Sequence, residues 1–336
     1  MLFAINYNHS FFFLEIAEVM EWLKVVVEFR PQPPNTSSFT GMPETTILYE
    51  VFMDAPMKGK TVLVTGATNG IGLVTARELA RMGAQVTIFS RDPDKCASVA
   101  EMIKNETANP VEYIAADLST LTGIMQAAAV FKQHHTRLHV LVNNAGGFFN
   151  KRLITPDGLE MTFALNHLNY FLLTNLLLDM LKSSSPARVV NVASGIHMGA
   201  RLEFDNLQGE KHYAGFRAYG QSKLCNVLFT YELARRLNGI GVTVNALHPG
   251  YVDTGFSLNN GFFFRVFAKF SARLFGRKPA EGAQTSIYLA ASPEVEGVTG
   301  KYFVNSKPEK SSPLSYDEEL AKKLWQVSLE LTGKVV

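Results

Sequence analysis

From Lys60 onward, short β-branched runs alternate with stretches of helical periodicity, and this alternation constrains the fold more than any other feature. The strand-like runs are 61–65 (TVLVT), 85–89 (QVTIF), 111–115 (VEYIA), 139–143 (HVLVN), 188–192 (RVVNV), 242–246 (VTVNA) and 301–305 (KYFVN). Helix-patterned segments lie between them, among them 71–82 (closed by Gly83), 159–182 and 215–238. Strands apolar on both faces and separated by helices predict a doubly wound parallel α/β sheet covered by helices on both sides. Nothing between 57 and 305 has the composition of a linker, so one domain is expected over 57–336.

Residues 1–56 have a different character. The run 11–29 (FFFLEIAEVMEWLKVVVEF) is apolar, but Glu15, Glu18, Glu21, Lys24 and Glu28 interrupt it. A spanning helix needs ~20 mostly apolar residues, so a transmembrane segment is not expected. No Lys or Arg precedes the run, which argues against a secretory signal. The segment is either an amphipathic helix followed by a Pro/Ser/Thr-rich linker over 31–46, or extra sequence ahead of the folded unit. The second reading is favoured, with residues 1–56 a dispensable extension and the globular unit beginning near Met57.

Composition removes several classes of function. A formal charge of +2 gives no general electrostatic case for nucleic acid. Cys96 and Cys225 are the only cysteines, which excludes a disulfide framework and a cysteine-based zinc site. There is no HExxH, and His134-His135 lies in a polar stretch, so no metal is expected.

The first strand runs into Thr65-Gly66-Ala67-Thr68-Asn69-Gly70-Ile71-Gly72 at the start of a helix. Glycines there let the backbone turn tightly and approach a pyrophosphate, whose charge the helix N-terminus favours. Gly66, Thr68, Asn69, Gly70, Ile71 and Gly72 are therefore candidate dinucleotide contacts. The second strand ends Phe89-Ser90-Arg91, with no carboxylate at the strand end to accept a ribose 2′-OH. Arg91 can instead pair with a 2′-phosphate, which points to NADP(H); the alternative is a solvated surface arginine. Asp117, after the third strand, can accept from an adenine amino group or serve as a helix cap.

Three further stretches make the pattern specific: Asn143-Asn144-Ala145-Gly146, Asn191-Val192-Ala193-Ser194 and Tyr219-Gly220-Gln221-Ser222-Lys223. Together with the glycine loop, these resemble the motif set of the short-chain dehydrogenases/reductases over about 57–305. The resemblance implies one Rossmann-like domain and a catalytic set that falls on Asn166, Ser194, Tyr219 and Lys223. It also places Leu118, Asn143, Ala145 and Gly146 along the cofactor, and Pro249, Gly250, Val252 and Thr254 at its nicotinamide end. Asn166 is implied to order a water that relays protons to Lys223.

Tyr219 and Lys223 are four apart on one helix and project from one face. A free phenol, with a pKa of ~10, is a poor base at neutral pH. A neighbouring ammonium and a nicotinamide cation would stabilise the phenolate, and bringing the pKa to ~7–8 needs only ~3–4 kcal/mol. Tyr219 can then exchange a proton with a substrate oxygen while hydride moves between carbon and nicotinamide. Ser194, at a strand's carboxyl end, would hydrogen-bond the same oxygen. Lys223 can also hold the nicotinamide ribose.

The chain resembles the retinol-dehydrogenase-like branch in Leu165-Asn166-His167-Leu168, in the long insert between Ser194 and Tyr219, and in Phe204-Asp205-Asn206-Leu207 with Gly209-Glu210-Lys211. It departs from that branch at Ala193, where a second serine is common, and lacks a clear counterpart of the animal enzymes' N-terminal anchor. The branch implies a lipophilic alcohol, aldehyde or ketone as substrate. A double-bond reductase resembling the light-dependent protochlorophyllide reductases, with Tyr219, Lys223 and Cys225 in its pattern, is the alternative enzyme. A dinucleotide-sensing scaffold of low activity is the alternative outside catalysis. In 256–278, Phe263, Phe267, Phe270 and Leu274 share one helical face, while Arg265, Lys269 and Arg273 share another. Such a segment can lie on a membrane surface, cover an apolar pocket, or pack on the core. A cytoplasmic enzyme with peripheral membrane contact is expected, with a homo-oligomer as a candidate assembly.

Overall fold

The computed structural model describes residues 55–250 and 278–333. Eight strands form one sheet among the described residues, in the order β3-β2-β1-β4-β5-β6-β7-β8. They are β1 Thr61–Thr65, β2 Gln85–Ser90, β3 Val111–Ala115, β4 Val140–Asn143, β5 Ala187–Val192, β6 Val242–His248, β7 Lys301–Val304 and β8 Lys307–Glu309. All neighbours run parallel except β7 and β8. The strand order reverses beside β1, which lies between β2 and β4, so a crevice opens there at the strands' carboxyl ends.

Strand alternation divides the core into two layers. On one face Val62, Val64, Val86, Ile88, Val140 and Val142 pack under helices α1 (Gly70–Arg81) and α2 (Pro93–Thr107). On the other face Leu63, Phe89, Leu141 and Val189 meet α3 (Leu121–His134) and α4 (Asn169–Leu176), with α5 (Leu178–Ser183) following directly. Phe229 of α6 (Gly215–Arg236) completes this second layer. The helix α7 (Pro279–Ala291) adds Leu289 and Ala290 to the first layer, and α8 (Glu318–Leu331) adds Trp325 to the second. Apolar residues facing both ways along one strand are what a doubly covered sheet requires.

The expected strands and the helices of 71–82 and 215–238 appear with shifts of one or two residues at their ends. Two features differ. The stretch 159–182 is not one regular helix: Met161–Phe163 leads into a π turn over Ala164–Leu168, then α4, and a break at Leu177 precedes α5. Its start is set by Glu160, whose carboxylate accepts the backbone N–H groups of Thr162 and Phe163, each at 2.8 Å. The last strand is also shorter than expected. Asn305 and Ser306, with φ of 51° and 60°, turn the chain back into β8, making an antiparallel edge on an otherwise parallel sheet.

Met57 belongs to the core and its N–H donates to the Met82 carbonyl at 3.0 Å. Of the positions expected in the site, Val252 and Thr254 lie outside the described residues, as does nearly all of 256–278.

Candidate active site

The crevice beside β1 is built by hydrogen bonds that join the ends of β1 and β4. The Thr65 hydroxyl accepts the N–H groups of Asn144 and Ala145 at 2.9 and 3.0 Å. The Asn144 side chain donates to the Thr65 carbonyl at 2.8 Å and to that of Gly66 at 3.2 Å. Gly66 adopts φ +65°, and a Cβ there would meet the Ala145 Cα at 2.8 Å. A Cβ on Gly72 would lie 2.5 Å from the Gly66 carbonyl oxygen, so only glycine lets α1 start this close to the loop. The α1 N-cap, Asn69, is extended and makes no side-chain cap bond, and the first turn carries no acid. The first N–H groups of a helix have no partner within it, so this end is suited to an anion. A dinucleotide pyrophosphate fits: glycines allow the approach, and no side chain caps the donors.

The adenosine end follows from β2 and β3. The Thr68 and Ser90 hydroxyls lie 2.9 Å apart. Arg91 is exposed and has no carboxylate partner among the described residues. The adjacent carboxylate, Asp92, is committed to capping α2 through the Lys95 N–H at 3.1 Å. Asp117 is also exposed, and one oxygen accepts both the N–H and the hydroxyl of Ser119, at 3.0 and 2.8 Å. The cap of α3 is Thr120, so Asp117 does not serve that purpose. Leu118 buries its side chain in the core.

The β4 end is tied into the core by a side chain. Asn143 is fully buried, and its amide donates to Thr174 Oγ1 at 2.9 Å and Asn191 Oδ1 at 2.8 Å. Its side chain braces β4 against β5 and α4. Pro249 and Gly250, the latter at φ +85°, leave the end of β6 on the same side of the sheet.

The four expected catalytic residues converge beyond β4 and β5. The Ser194 hydroxyl lies near the Tyr219 phenol and favours its ionised form. Lys223 is buried and donates to the Val192 carbonyl at 2.9 Å, with its ammonium 5.7 Å from the Tyr219 ring centre. Asn166, in the π turn, accepts the Gly147 N–H at 2.8 Å and donates to Gly147 O and Ser222 Oγ, each at 3.0 Å. Both donors of its amide are therefore committed to bracing the β4 loop against α6. A Cβ on Gly146 would meet Asn166 Oδ1 at 3.1 Å and Lys223 Nζ at 3.6 Å, so glycine keeps that approach open. Burial pushes the Tyr219 phenol up, opposed by the Ser194 hydrogen bond, and pushes the Lys223 ammonium down to about 7. A phenol can give its proton to a carbonyl oxygen that comes within hydrogen-bond reach.

Comparison with known proteins decides the family. Residues 60–260 match the model of the short chain dehydrogenase family. The chain belongs to that family. It is 43% identical over 293 residues to retinol dehydrogenase 14 of Homo sapiens, covering 82% of this chain and 87% of that protein. It is 45% identical over 285 residues to polyprenol dehydrogenase of Homo sapiens, covering 83% and 86%. Among solved structures, the RhlG/NADP active-site complex of Pseudomonas aeruginosa superposes with a TM-score of 0.60 at 29% identity, covering 74% of this chain and 96% of that one.

Several residues of this short-chain dehydrogenase were not legible as site residues. Thr65 and Asn144 were visible only as neighbours of glycines. Phe148 packs edge-on to Tyr219 at 5.9 Å and against Phe216 at 4.9 Å, forming an aromatic wall beside the phenol. Tyr213, in the long insert, donates to the Phe149 carbonyl at 2.8 Å and ties that wall to the insert. Phe148 and Tyr213 lie outside helices and strands, so no periodic signal marks the wall.

Proposed function

We propose that this short-chain dehydrogenase is an NADP(H)-dependent oxidoreductase that interconverts a lipophilic alcohol with its aldehyde or ketone, using Tyr219 as acid/base. The observation that carries the reading is the buried Lys223 ammonium, held by the Val192 carbonyl 5.7 Å from the centre of the Tyr219 ring and one helical turn beyond it on α6. When bound, the nicotinamide supplies or accepts the hydride. In reduction, Tyr219 gives its phenolic proton to the substrate oxygen while Ser194 hydrogen-bonds that oxygen and aligns it. In oxidation the same phenol oxygen takes the proton back, and the Lys223 charge favours its anionic form.

The remaining residues divide by place. The N–H groups at the start of α1 hold the pyrophosphate, with Gly66, Gly70 and Gly72 allowing the approach. Arg91 holds a 2′-phosphate, and Asp117 accepts from the adenine amino group through its second oxygen. Asn143, Ala145, Gly146, Pro249 and Gly250 form the backbone of the nicotinamide end, with Val252 and Thr254 beyond them. Asn166 contributes the water that relays protons to Lys223 through its main chain, since its side-chain donors are committed.

The lipophilic class rests on Phe148 and Phe216 beside Tyr219, and on kinship with proteins named for retinol and polyprenol. Among the described residues no helix is long and apolar enough to cross a membrane. A cytoplasmic enzyme touching a lipid surface through 256–278 belongs to the same reading, as does self-association. Flotation with lipid vesicles and light scattering test those two points.

The deciding experiment is a panel of retinoids, aliphatic aldehydes and steroid ketones, with consumption of NADPH followed by absorbance. Turnover is expected on at least one apolar carbonyl and not on small polar ones. NADPH binding with no turnover on any carbonyl would favour a dinucleotide sensor instead.

A further inference from the structure

The peptide group between Ser194 and Gly195 is held at both polar ends by imidazoles. Its carbonyl lies 2.7 Å from His197 Nδ1, and its N–H donates to His248 Nδ1 at 3.0 Å. The direction of the first bond follows from the other side of the His197 ring. There the backbone N–H of Ser312 donates to Nε2 at 3.2 Å, so Nε2 carries a lone pair and Nδ1 carries the proton. His248 accepts at Nδ1, which places its ring proton on Nε2. The two rings are thus opposite tautomers acting on one peptide unit.

Further contacts support the arrangement on both sides. His197 is fully buried in the 3₁₀ turn Gly195–Gly199, with its ring 4.8 Å from that of Tyr302. Burial pushes its pKa down to about 4, against the hydrogen bond to Ser194, which keeps the ring neutral near pH 7. Ser312 is fixed in turn: its carbonyl accepts the Ser315 hydroxyl at 2.6 Å, while Ser311 meets the Tyr231 hydroxyl at 2.7 Å. On the opposite side, a Cβ on Gly195 would come within 3.2 Å of His248 Nε2. Holding this peptide restrains ψ of Ser194, 152° here, and so the direction in which its side chain leaves the backbone.

We propose that His197 and His248 are positioning residues that orient the Ser194 hydroxyl, with the 311–315 segment as the support for His197. The proposal rests on the reading of Ser194 and Tyr219 as the reacting pair. Both act through the serine backbone, whose carbonyl and following N–H they hold.

Two substitutions at one position separate positioning from simple packing. In His197→Asn the amide N–H stands where Nδ1–H stood and keeps the bond to the Ser194 carbonyl. In His197→Gln the amide reaches the place of Nε2, so the Ser312 bond survives and the Ser194 bond is lost. Both variants lose the same ring contact with Tyr302. We expect His197→Gln to lower kcat roughly 10–100-fold with the Kd for NADPH unchanged, and His197→Asn to recover most of that loss. Equal losses in both variants would overturn the proposal. In the full-length protein, nitrogen-15 spectra of the imidazoles should show His197 protonated at Nδ1 and His248 at Nε2. The reverse tautomer at His197 would overturn the proposal as well. A wild-type chain that reduces no carbonyl would reject the proposed activity, and the imidazole spectra alone would then decide whether the two-ring clamp exists.

Discussion

Lys223 donates to the Val192 carbonyl at 2.9 Å while its ammonium sits 5.7 Å from the centre of the Tyr219 ring. The strand-end carbonyl holds the charge at one place beside the phenol, although burial disfavours that charge. The tension between a needed cation and a dry site has measurable consequences.

The unfolding of the protein without cofactor should depend on pH through this lysine. Its pKa is lowered to about 7 in the fold, against an ordinary value of 10.5. Between these values the unfolded chain binds a proton that the folded chain does not, so stability rises with pH across that window. Below about pH 7 both states are protonated and the full burial cost is present. Lys223→Met removes the group, so wild type should gain stability relative to the variant from pH 7 to pH 10, by about 4 kcal/mol at most. Denaturant titrations at several pH values measure this; a flat difference would show that the lysine keeps its proton when buried.

Tyr219→Phe keeps the ring against Phe148 and removes the proton donor. General acid catalysis contributes roughly 10²–10⁴-fold, so kcat should fall by that order while fluorescence titration gives an NADPH affinity close to wild type. Turnover at the wild-type rate would require another acid.

Arg91→Ala should separate the two nicotinamide cofactors. A charge-assisted bond to phosphate contributes ~1.5–3 kcal/mol, or roughly tenfold to more than a hundredfold in affinity. The Kd for NADPH should rise by that factor and that for NADH hardly at all. Equal changes in the two constants would mark the arginine as structural.

Asn144→Ala removes both side-chain bonds that tie β4 to the β1 end and the glycine loop. A loss of ~1–3 kcal/mol in unfolding free energy is expected, with weaker NADPH binding, because the loop and its partner strand no longer share a fixed register. Chemical denaturation and cofactor titration on the same sample check both parts.

We propose that residues 1–56 are dispensable for the fold and the chemistry. The proposal is supported by Met57, which is buried and hydrogen-bonded to Met82, and by β1, which starts at Thr61; upstream of Met57, Ala55 accepts the Lys58 N–H at 2.8 Å. A chain beginning at Met57 should keep its Tm and its kcat/KM. Aggregation or a large rise in KM would move the boundary upstream.

The sequence by itself determined the layered architecture and the main residues of the proposed site. Period-2 and period-3.6 patterns are local, and so are the glycine loop and the four-residue spacing of Tyr219 and Lys223, because each is imposed by backbone geometry within a few residues. What only the tertiary structure decided involves partners far apart in the chain. The inward turn of Asn143 depends on Asn191, 48 residues away, and the hold on the Ser194–Gly195 peptide depends on His248 and, through His197, on Ser312. The π turn that carries Asn166 and the edge hairpin at Asn305 likewise left no periodic trace. A side chain's hydrogen-bond partner is chosen by which groups burial brings within reach once the layers have packed. Pairing across 48, 53 or 115 residues is therefore invisible to any pattern read along the chain.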